Sequence, residues 1–283
     1  MAKKRNLDWV IIKGIFIFTY NVILALVNLV YITVLFIIKI PYYLGIGIMK
    51  LFKSAKAKSE RGKIEKNRGN IRAMYESFEI VKKETGDVER WEKNLSGKSK
   101  IGIILGARGS GKSAFGIKLL ENIYVKTKRK CYAMGFKRDE MPSWMEVVEN
   151  IEEIENDAFV LIDEGGVLFS SRRAMTNANK ILGDLILISR HKNLTIIFIS
   201  QNSSNLDVNI IRQADFLVLK PSSLLQKDFE RKIIKELYDK TAKDFGKYKE
   251  KTGITYLYSD DFKGFIVNKL PSFWSDRISR SFR

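Results

Sequence analysis

The 283-residue sequence has very few of the side chains that build disulfides and zinc sites. Its single cysteine, Cys131, excludes an internal disulfide. Its single histidine, His191, excludes a zinc site assembled from cysteine and histidine pairs. The chain is therefore not a disulfide-stabilised secreted domain, and we expect its catalytic part to be intracellular.

Acidic residues are scarce relative to basic ones. The chain carries 50 Lys+Arg against 32 Asp+Glu, which gives a formal net charge of +18. This balance favours nucleic acid or an anionic membrane surface as a partner. An ordinary solvated coat of lysines gives the same composition, so charge alone leaves both interpretations open.

Charged residues are absent from one long apolar run. The run extends from Gly14 to Ile38, and its 25 residues exceed the roughly 20 that a helix needs to cross a bilayer. A signal peptide is the competing interpretation, but its apolar region is about 7 to 15 residues long and ends in small residues. Here bulky residues continue to Met49. We therefore predict one transmembrane helix at about 14–38, followed by an interfacial segment at 41–52.

A glycine-rich stretch in the middle of the sequence matches the pattern G-x-x-x-x-G-K-[ST] at every fixed position. It follows the apolar run Ile101–Leu105 and precedes a helical pattern at 114–124, the strand-loop-helix context that a phosphate loop requires. Its residues are Gly106, Ala107, Arg108, Gly109, Ser110, Gly111, Lys112 and Ser113. Backbone N–H groups would surround the phosphates of ATP, Lys112 would reach the β- and γ-phosphates, and Ser113 would bind Mg²⁺. The alternative is a plain glycine-rich turn.

Helical and apolar strand patterns alternate beyond this loop, which predicts an α/β fold with a parallel sheet flanked by helices. Five strands are predicted, at 101–105, 131–136, 158–162, 194–200 and 215–220. Helices are predicted at 144–154, 174–190 and 224–243, and a terminal β-hairpin at 254–267.

The chain is predicted to have three parts. Residues 1–53 form the membrane anchor, 54–85 a basic linker with a docking helix, and 86–283 the P-loop domain. The docking helix is predicted from the spacing of Ile71, Met74, Tyr75, Phe78 and Val81. More basic residues follow the span than precede it, so we expect a single-pass protein with its P-loop domain in the cytoplasm.

Polar side chains follow two of the predicted strands. Asp163 and Glu164 end the run at 158–162. Asp163 is placed to hold Mg²⁺ through water, and Glu164 to activate the attacking water; a solvated turn is the alternative. Gln201 ends the fourth strand, where it would sense the γ-phosphate or orient the water, or simply terminate the strand.

Arginines are candidates for stabilising charge in the transition state, supplied to the site of a neighbouring subunit. The candidates are Arg172, Arg173 and Arg190, with Arg190 next to His191. Surface salt bridges and contacts to a DNA backbone are the alternatives for each of them.

The segment from Gly106 to Pro221 resembles the additional-strand P-loop ATPases of the FtsK/HerA type, and among them the zonula occludens toxin (Zot)-like ATPases of filamentous phage assembly. The resemblance is carried by GARGSGKS, FVLIDEGGVLFSSRR and ISRHKNLTIIFISQNSSNLDVNIIRQAD. It implies a strand order of 5-1-4-3-2, with Gln201 between the phosphate loop and Asp163. Members generally act as ring-shaped, often hexameric motors on DNA or nucleoprotein.

The position of the apolar run departs from the Zot-like pattern. Zot-like proteins usually have their membrane span after the ATPase domain, whereas this run precedes it, as in FtsK and conjugative coupling ATPases. We expect a membrane-anchored ATPase that moves DNA during virion assembly, packaging or transfer, with virion or transfer-channel proteins as further partners. The alternatives are an ATP-dependent switch or assembly factor acting on proteins, and, less favoured, a small-molecule kinase.

Overall fold

The computed structural model describes residues 16–37, 71–97, 99–163 and 186–275, together with residues 9, 13, 14, 39, 49, 68, 183 and 278. The chain divides into two compact units, Met1–Lys63 and Ile64–Arg283. Predictions for Glu164, Arg172, Arg173, nearly all of the interfacial segment at 41–52 and most of the helix at 174–190 lie outside the described residues.

The first unit contains one apolar helix, α1 (Phe16–Ile37). Within the described residues it is the one helix long and apolar enough to cross a membrane, although a signal sequence near the N-terminus meets the same criterion. Its large apolar side chains are exposed, for example Phe16, Tyr31 and Phe36. A helix that is apolar on all sides and exposed along its length, as this one is among the described residues, is typical of a segment that lies in an apolar environment.

The second unit is built on one mixed sheet, which has nine strands in the described part of the chain. The strands are β1 (Glu79–Gly86), β2 (Ile101–Leu105), β3 (Cys131–Met134), β4 (Met145–Val147), β5 (Phe159–Asp163), β6 (Thr195–Ser200), β7 (Phe216–Leu219), β8 (Ile254–Ser259) and β9 (Phe262–Val267). The helices are α2 (Val88–Gly97), α3 (Lys112–Thr127), α4 (Val208–Gln213), α5 (Leu224–Asp228) and α6 (Lys232–Lys247).

The strand order is β1-β9-β8-β7-β2-β6-β5-β3-β4. The strands from β7 to β4 in this order are parallel, and β8, β9 and β1 extend the sheet in antiparallel fashion beyond β7. The five strands predicted from the sequence correspond to β2, β3, β5, β6 and β7, and they lie in the order fifth, first, fourth, third, second. The phosphate-loop strand β2 is thus central, and β6 separates it from β5.

Both faces of the sheet are covered, so its central strands are buried throughout. All five residues of β2 are buried, with Ile104 facing α2 and α3, and Ile103 facing α4, α6 and the helical residues 186–191. A parallel sheet with two covered faces requires continuous apolar strands, which is why the uninterrupted runs predicted these strands correctly.

The predicted docking helix at 71–84 is wrong. Residues 71–78 are neither helix nor strand and lead into β1, which pairs antiparallel with β9. The helical spacing was coincidental, because Phe78 is buried whereas Met74 is 58% exposed. The unpaired edge of β9 provides backbone partners for this segment, and such tertiary pairing overrides local spacing.

Polar side chains of α3 bind the segment 71–78 that precedes β1. Glu121 accepts a hydrogen bond from the Met74 N–H (3.0 Å), and Lys118 Nζ donates to the Met74 carbonyl (3.2 Å). Asn122 bonds both backbone groups of Glu76, at 3.1 and 2.7 Å. The three α3 side chains are almost completely buried. Because these buried groups satisfy backbone donors and acceptors, the segment is an integral part of the second unit.

The predicted helix at 144–154 is also wrong. Met145–Val147 forms strand β4, which pairs with β3, and Ile151–Glu153 forms a short 3₁₀ turn. Met145 and Val147 are buried while Glu146 between them is exposed, which is the two-residue period of an edge strand. The apolar residues fit both periods over so short a stretch, and the free edge of β3 favours the strand.

The C-terminal predictions are partly correct. The hairpin exists as β8 and β9, with longer strands than predicted. The predicted helix at 224–243 is two helices, α5 and α6, and the apolar residues Leu225, Phe229 and Ile233, which recur at helical spacing, are exposed. Ile234, Tyr238 and Thr241 are the buried residues of α6, because the break between the helices resets which residues face the sheet.

Candidate active site

The phosphate loop connects the central strand β2 to the N-terminus of α3. Gly111 is the N-cap of α3 and has φ 86°, a left-handed conformation that favours glycine, and it provides no side-chain cap. The helix therefore presents its first N–H groups and the positive end of its dipole to the loop. The Ser110 hydroxyl oxygen is buried and has no hydrogen-bond partner among the described residues. These features fit an anion such as a nucleotide phosphate.

Lys112 lies inside the loop that it is expected to serve. Its Nζ donates hydrogen bonds to the carbonyl oxygens of Gly106 and Ala107, both at 2.8 Å, and the residue is 8% exposed. Burial lowers the pKa of Lys112 to about 8, and the Asp163 carboxylate partly opposes that effect. A cation held this close to the loop backbone can exchange weak carbonyl partners for phosphate oxygens.

Asp163 and Ser113 are in contact near the C-terminal ends of the parallel strands. Ser113 Oγ donates to Asp163 Oδ2 at 3.1 Å, and Asp163 is buried at the end of β5. A hydroxyl and a carboxylate that are adjacent to a triphosphate site are the oxygen ligands that Mg²⁺ prefers. The two predicted metal-binding residues are thus brought together, and they fit Mg²⁺ held directly by Ser113 and through water by Asp163.

Gln201 occupies the position between these groups along the sheet. It directly follows β6, the strand that separates β2 from β5, and it is exposed. Its backbone carbonyl accepts a hydrogen bond from the Gln226 side chain of α5. Arg108 is also exposed at the tip of the loop. Both residues therefore follow the C-terminal ends of their strands, on the side of the sheet where a nucleotide would bind.

Arg190 lies near the N-terminal ends of the parallel strands, opposite to the phosphate loop. It precedes the N-terminal end of β6, where Leu194 N–H donates to the Ser189 carbonyl and Asp157 N–H to the Lys192 carbonyl. The phosphate loop and Asp163 follow the C-terminal ends of their strands. The structure therefore does not bring Arg190 to the phosphate loop of its own chain, and a role at a neighbouring subunit's site stays a prediction.

Lys220 is a residue that our sequence reasoning missed. It directly follows β7 and is fully buried beside the loop: a Cβ placed on Gly106 would lie 2.5 Å from the Lys220 Cβ. Its signal in the sequence was a lysine that directly follows the apolar run Phe216–Leu219 and precedes Pro221. A strand-end lysine usually reaches solvent, which is why this pattern was not informative.

Replacing Asp163 with asparagine should raise the Mg²⁺ concentration needed for half-maximal ATP turnover by about 10- to 100-fold, the usual cost of losing an outer-shell metal partner. Asparagine keeps the shape of the side chain but removes the charge. Turnover measured across a Mg²⁺ titration tests this expectation. Asp260→Asn, at an exposed hairpin turn, is the matched control and should behave as wild type. An unchanged Mg²⁺ requirement in Asp163→Asn would contradict the assignment.

A phosphate loop between a central parallel strand and its helix, with Ser113 bonded to a strand-end aspartate, defines a P-loop ATPase. The family model for zonular occludens toxin (Zot) matches residues 134–222, a range that contains Asp163 and Gln201. The chain is a P-loop ATPase, and its residues 134–222 are similar to the Zot family.

Solved structures with a similar fold include viral and bacterial ATPases. B204, the DNA-packaging ATPase from Sulfolobus Turreted Icosahedral Virus, is 17% identical over 60% of this chain and 98% of that chain, with a TM-score of 0.42. EccC (ATPases 2 and 3) from Thermomonospora curvata is 10% identical over 66% of this chain and 41% of that chain, with a TM-score of 0.44. A comparison with curated proteins finds no match.

Proposed function

We propose that this chain is a membrane-anchored ATPase that uses ATP hydrolysis to move DNA during virion assembly, packaging or transfer. The observation that carries the hydrolytic part is the contact between Ser113 and Asp163 beside the buried Lys112. Mg²⁺ bound there would neutralise phosphate charge. Lys112 would hold the β- and γ-phosphates, Glu164 would activate the attacking water, and Gln201 would report the presence of the γ-phosphate.

The excess of basic residues supports DNA as the substrate. With a formal charge of +18, the chain can neutralise several phosphates, and release of counterions then drives binding without base recognition. A motor that translocates along DNA needs this kind of contact, because sequence-specific contacts would hold it in place.

The apolar helix α1 supports attachment to a membrane. Its 22 residues match the thickness of a bilayer, and the basic residues that follow it favour a cytoplasmic P-loop domain. In this proposal the domain works as a homo-oligomer, with a ring as the preferred arrangement and Arg190 contributed to the neighbouring site.

DNA should stimulate ATP turnover, and retention of the full chain on DNA should fall by about 10³-fold or more between 50 and 200 mM salt if at least six phosphates are contacted. The measurement is turnover with and without double- and single-stranded DNA, paired with DNA binding over a salt series. Heparin is the control polyanion, and it should bind without stimulating turnover. If DNA changes neither turnover nor salt-dependent retention, DNA translocation is the wrong activity.

A further inference from the structure

Lys220 is a buried cationic side chain held by the C-terminal hairpin. Its Nζ donates to the Gly253 carbonyl at 3.0 Å and to Asn268 Oδ1 at 2.9 Å, just before β8 and just after β9. The residue is fully buried. Both acceptors are neutral, so nothing in these two bonds compensates a positive charge.

The same side chain lies against the phosphate loop. The Lys220 N–H donates to the Leu105 carbonyl at 2.8 Å, and the Ala107 N–H donates to the Pro221 carbonyl at 3.0 Å. A Cβ on Gly111 would lie 4.0 Å from Lys220 Nζ, so the amine is beneath the N-cap of α3. Lys220 therefore joins the base of the loop to the hairpin.

Burial and the nearby N-terminus of α3 favour the neutral form of the amine when the loop is empty. The Phe115 ring of α3, whose centroid is 5.3 Å from Nζ, attracts a cation only weakly, and the two hairpin acceptors are neutral. The Tyr238 hydroxyl of α6 donates to the Lys220 backbone carbonyl at 3.3 Å. The positive end of α3 has the same sign as an ammonium group. Burial lowers the pKa of Lys220 to about 7.

We propose that Lys220 is a positioning residue for the nucleotide: it supports the phosphate loop from beneath, and its amine takes up a proton from solvent when a triphosphate enters the loop. A triphosphate above Gly111 brings several negative charges into a region with little water, and these charges favour the ammonium form. Protonation gives the Lys220 amine a positive charge beneath the loop, in addition to the positive charge of Lys112. This inference rests on nucleotide binding at the phosphate loop.

The test is calorimetric titration of the full chain with the non-hydrolysable analogue AMPPCP at pH 8, in two buffers with different ionisation enthalpies. The difference in enthalpy gives the number of protons taken up. Wild type should take up roughly half a proton or more beyond the Lys220→Met variant, because a group with a pKa near 7 is mostly neutral at pH 8. Lys112 and the analogue titrate equally in both proteins, so the difference isolates Lys220.

Two further variants make the result decisive. Asn268→Asp places a carboxylate next to Nζ, so the lysine should be protonated before the analogue binds, and the extra uptake should disappear although Lys220 is present. Lys118→Met removes a different buried lysine of α3 and should lower stability without changing proton uptake.

Equal proton uptake in wild type and a folded Lys220→Met variant overturns the inference. If that variant does not fold, wild-type uptake in Asn268→Asp overturns it instead. Absence of AMPPCP binding to wild type is a different result, because it contradicts the proposed function itself.

Discussion

Replacing Lys112 with alanine should lower ATP turnover by on the order of 10²- to 10³-fold and should remove measurable nucleotide binding. The side chain is already inside the loop, bonded to two carbonyl oxygens at 2.8 Å, so its ammonium group needs only a small movement to reach a phosphate. Alanine leaves the phosphates with backbone N–H donors but without a mobile cation.

Turnover and binding of a fluorescent ATP analogue measure this effect. Lys93→Ala is the matched control, because Lys93 is exposed on α2 and should be silent. A folded Lys112→Ala variant that turns over ATP within tenfold of wild type would show that the phosphate loop is not the hydrolytic site.

Glu164→Gln should reduce turnover by about 10²- to 10⁴-fold while leaving ATP binding intact, because glutamine keeps the size of the side chain but cannot accept a proton from water. Glu164 directly follows Asp163, which the structure places beside Ser113. The residue is therefore attached to a strand end that is already part of the nucleotide site.

This variant also separates the motor from the switch. A DNA motor should lose DNA movement in Glu164→Gln, whereas a switch that needs only ATP binding should still assemble with its protein partners. Glu152→Gln, at an exposed 3₁₀ turn, is the control and should match wild type in both assays. Turnover near the wild-type rate in Glu164→Gln would remove this residue from the catalytic mechanism.

The central part of the fold was predictable because its strands carry an unambiguous signal. Ile101–Leu105 and Phe159–Asp163 are buried on both faces, so nearly every residue had to be apolar and each run ended at a functional group. The edge strands β1 and β4 gave no such signal, since no residue of β1 is buried and β4 has only three residues.

Lys220 was not predictable for a different reason. The groups that bury it come from far along the chain, 33 residues away at Gly253 and 48 residues away at Asn268. Nothing local distinguishes this lysine from a solvated one. Ser113 and Asp163 are 50 residues apart, yet the sequence placed both at one site, because the phosphate-loop motif calls for a carboxylate from another strand of the same sheet, here β5.

Because side chains of α3 bind Met74 and Glu76, we place the start of the ATPase domain before these residues. A fragment starting at residue 86, the predicted boundary, would lose the backbone partners of Glu121 and Asn122 and leave a carboxylate and an amide inside the protein without those bonds. Helix α3 begins at the phosphate loop with Lys112. The segment that contains Met74 and Glu76 is therefore bonded to the same helix that carries Lys112. A pulling force on residues 74–76 would therefore act on α3, the helix that begins at the phosphate loop.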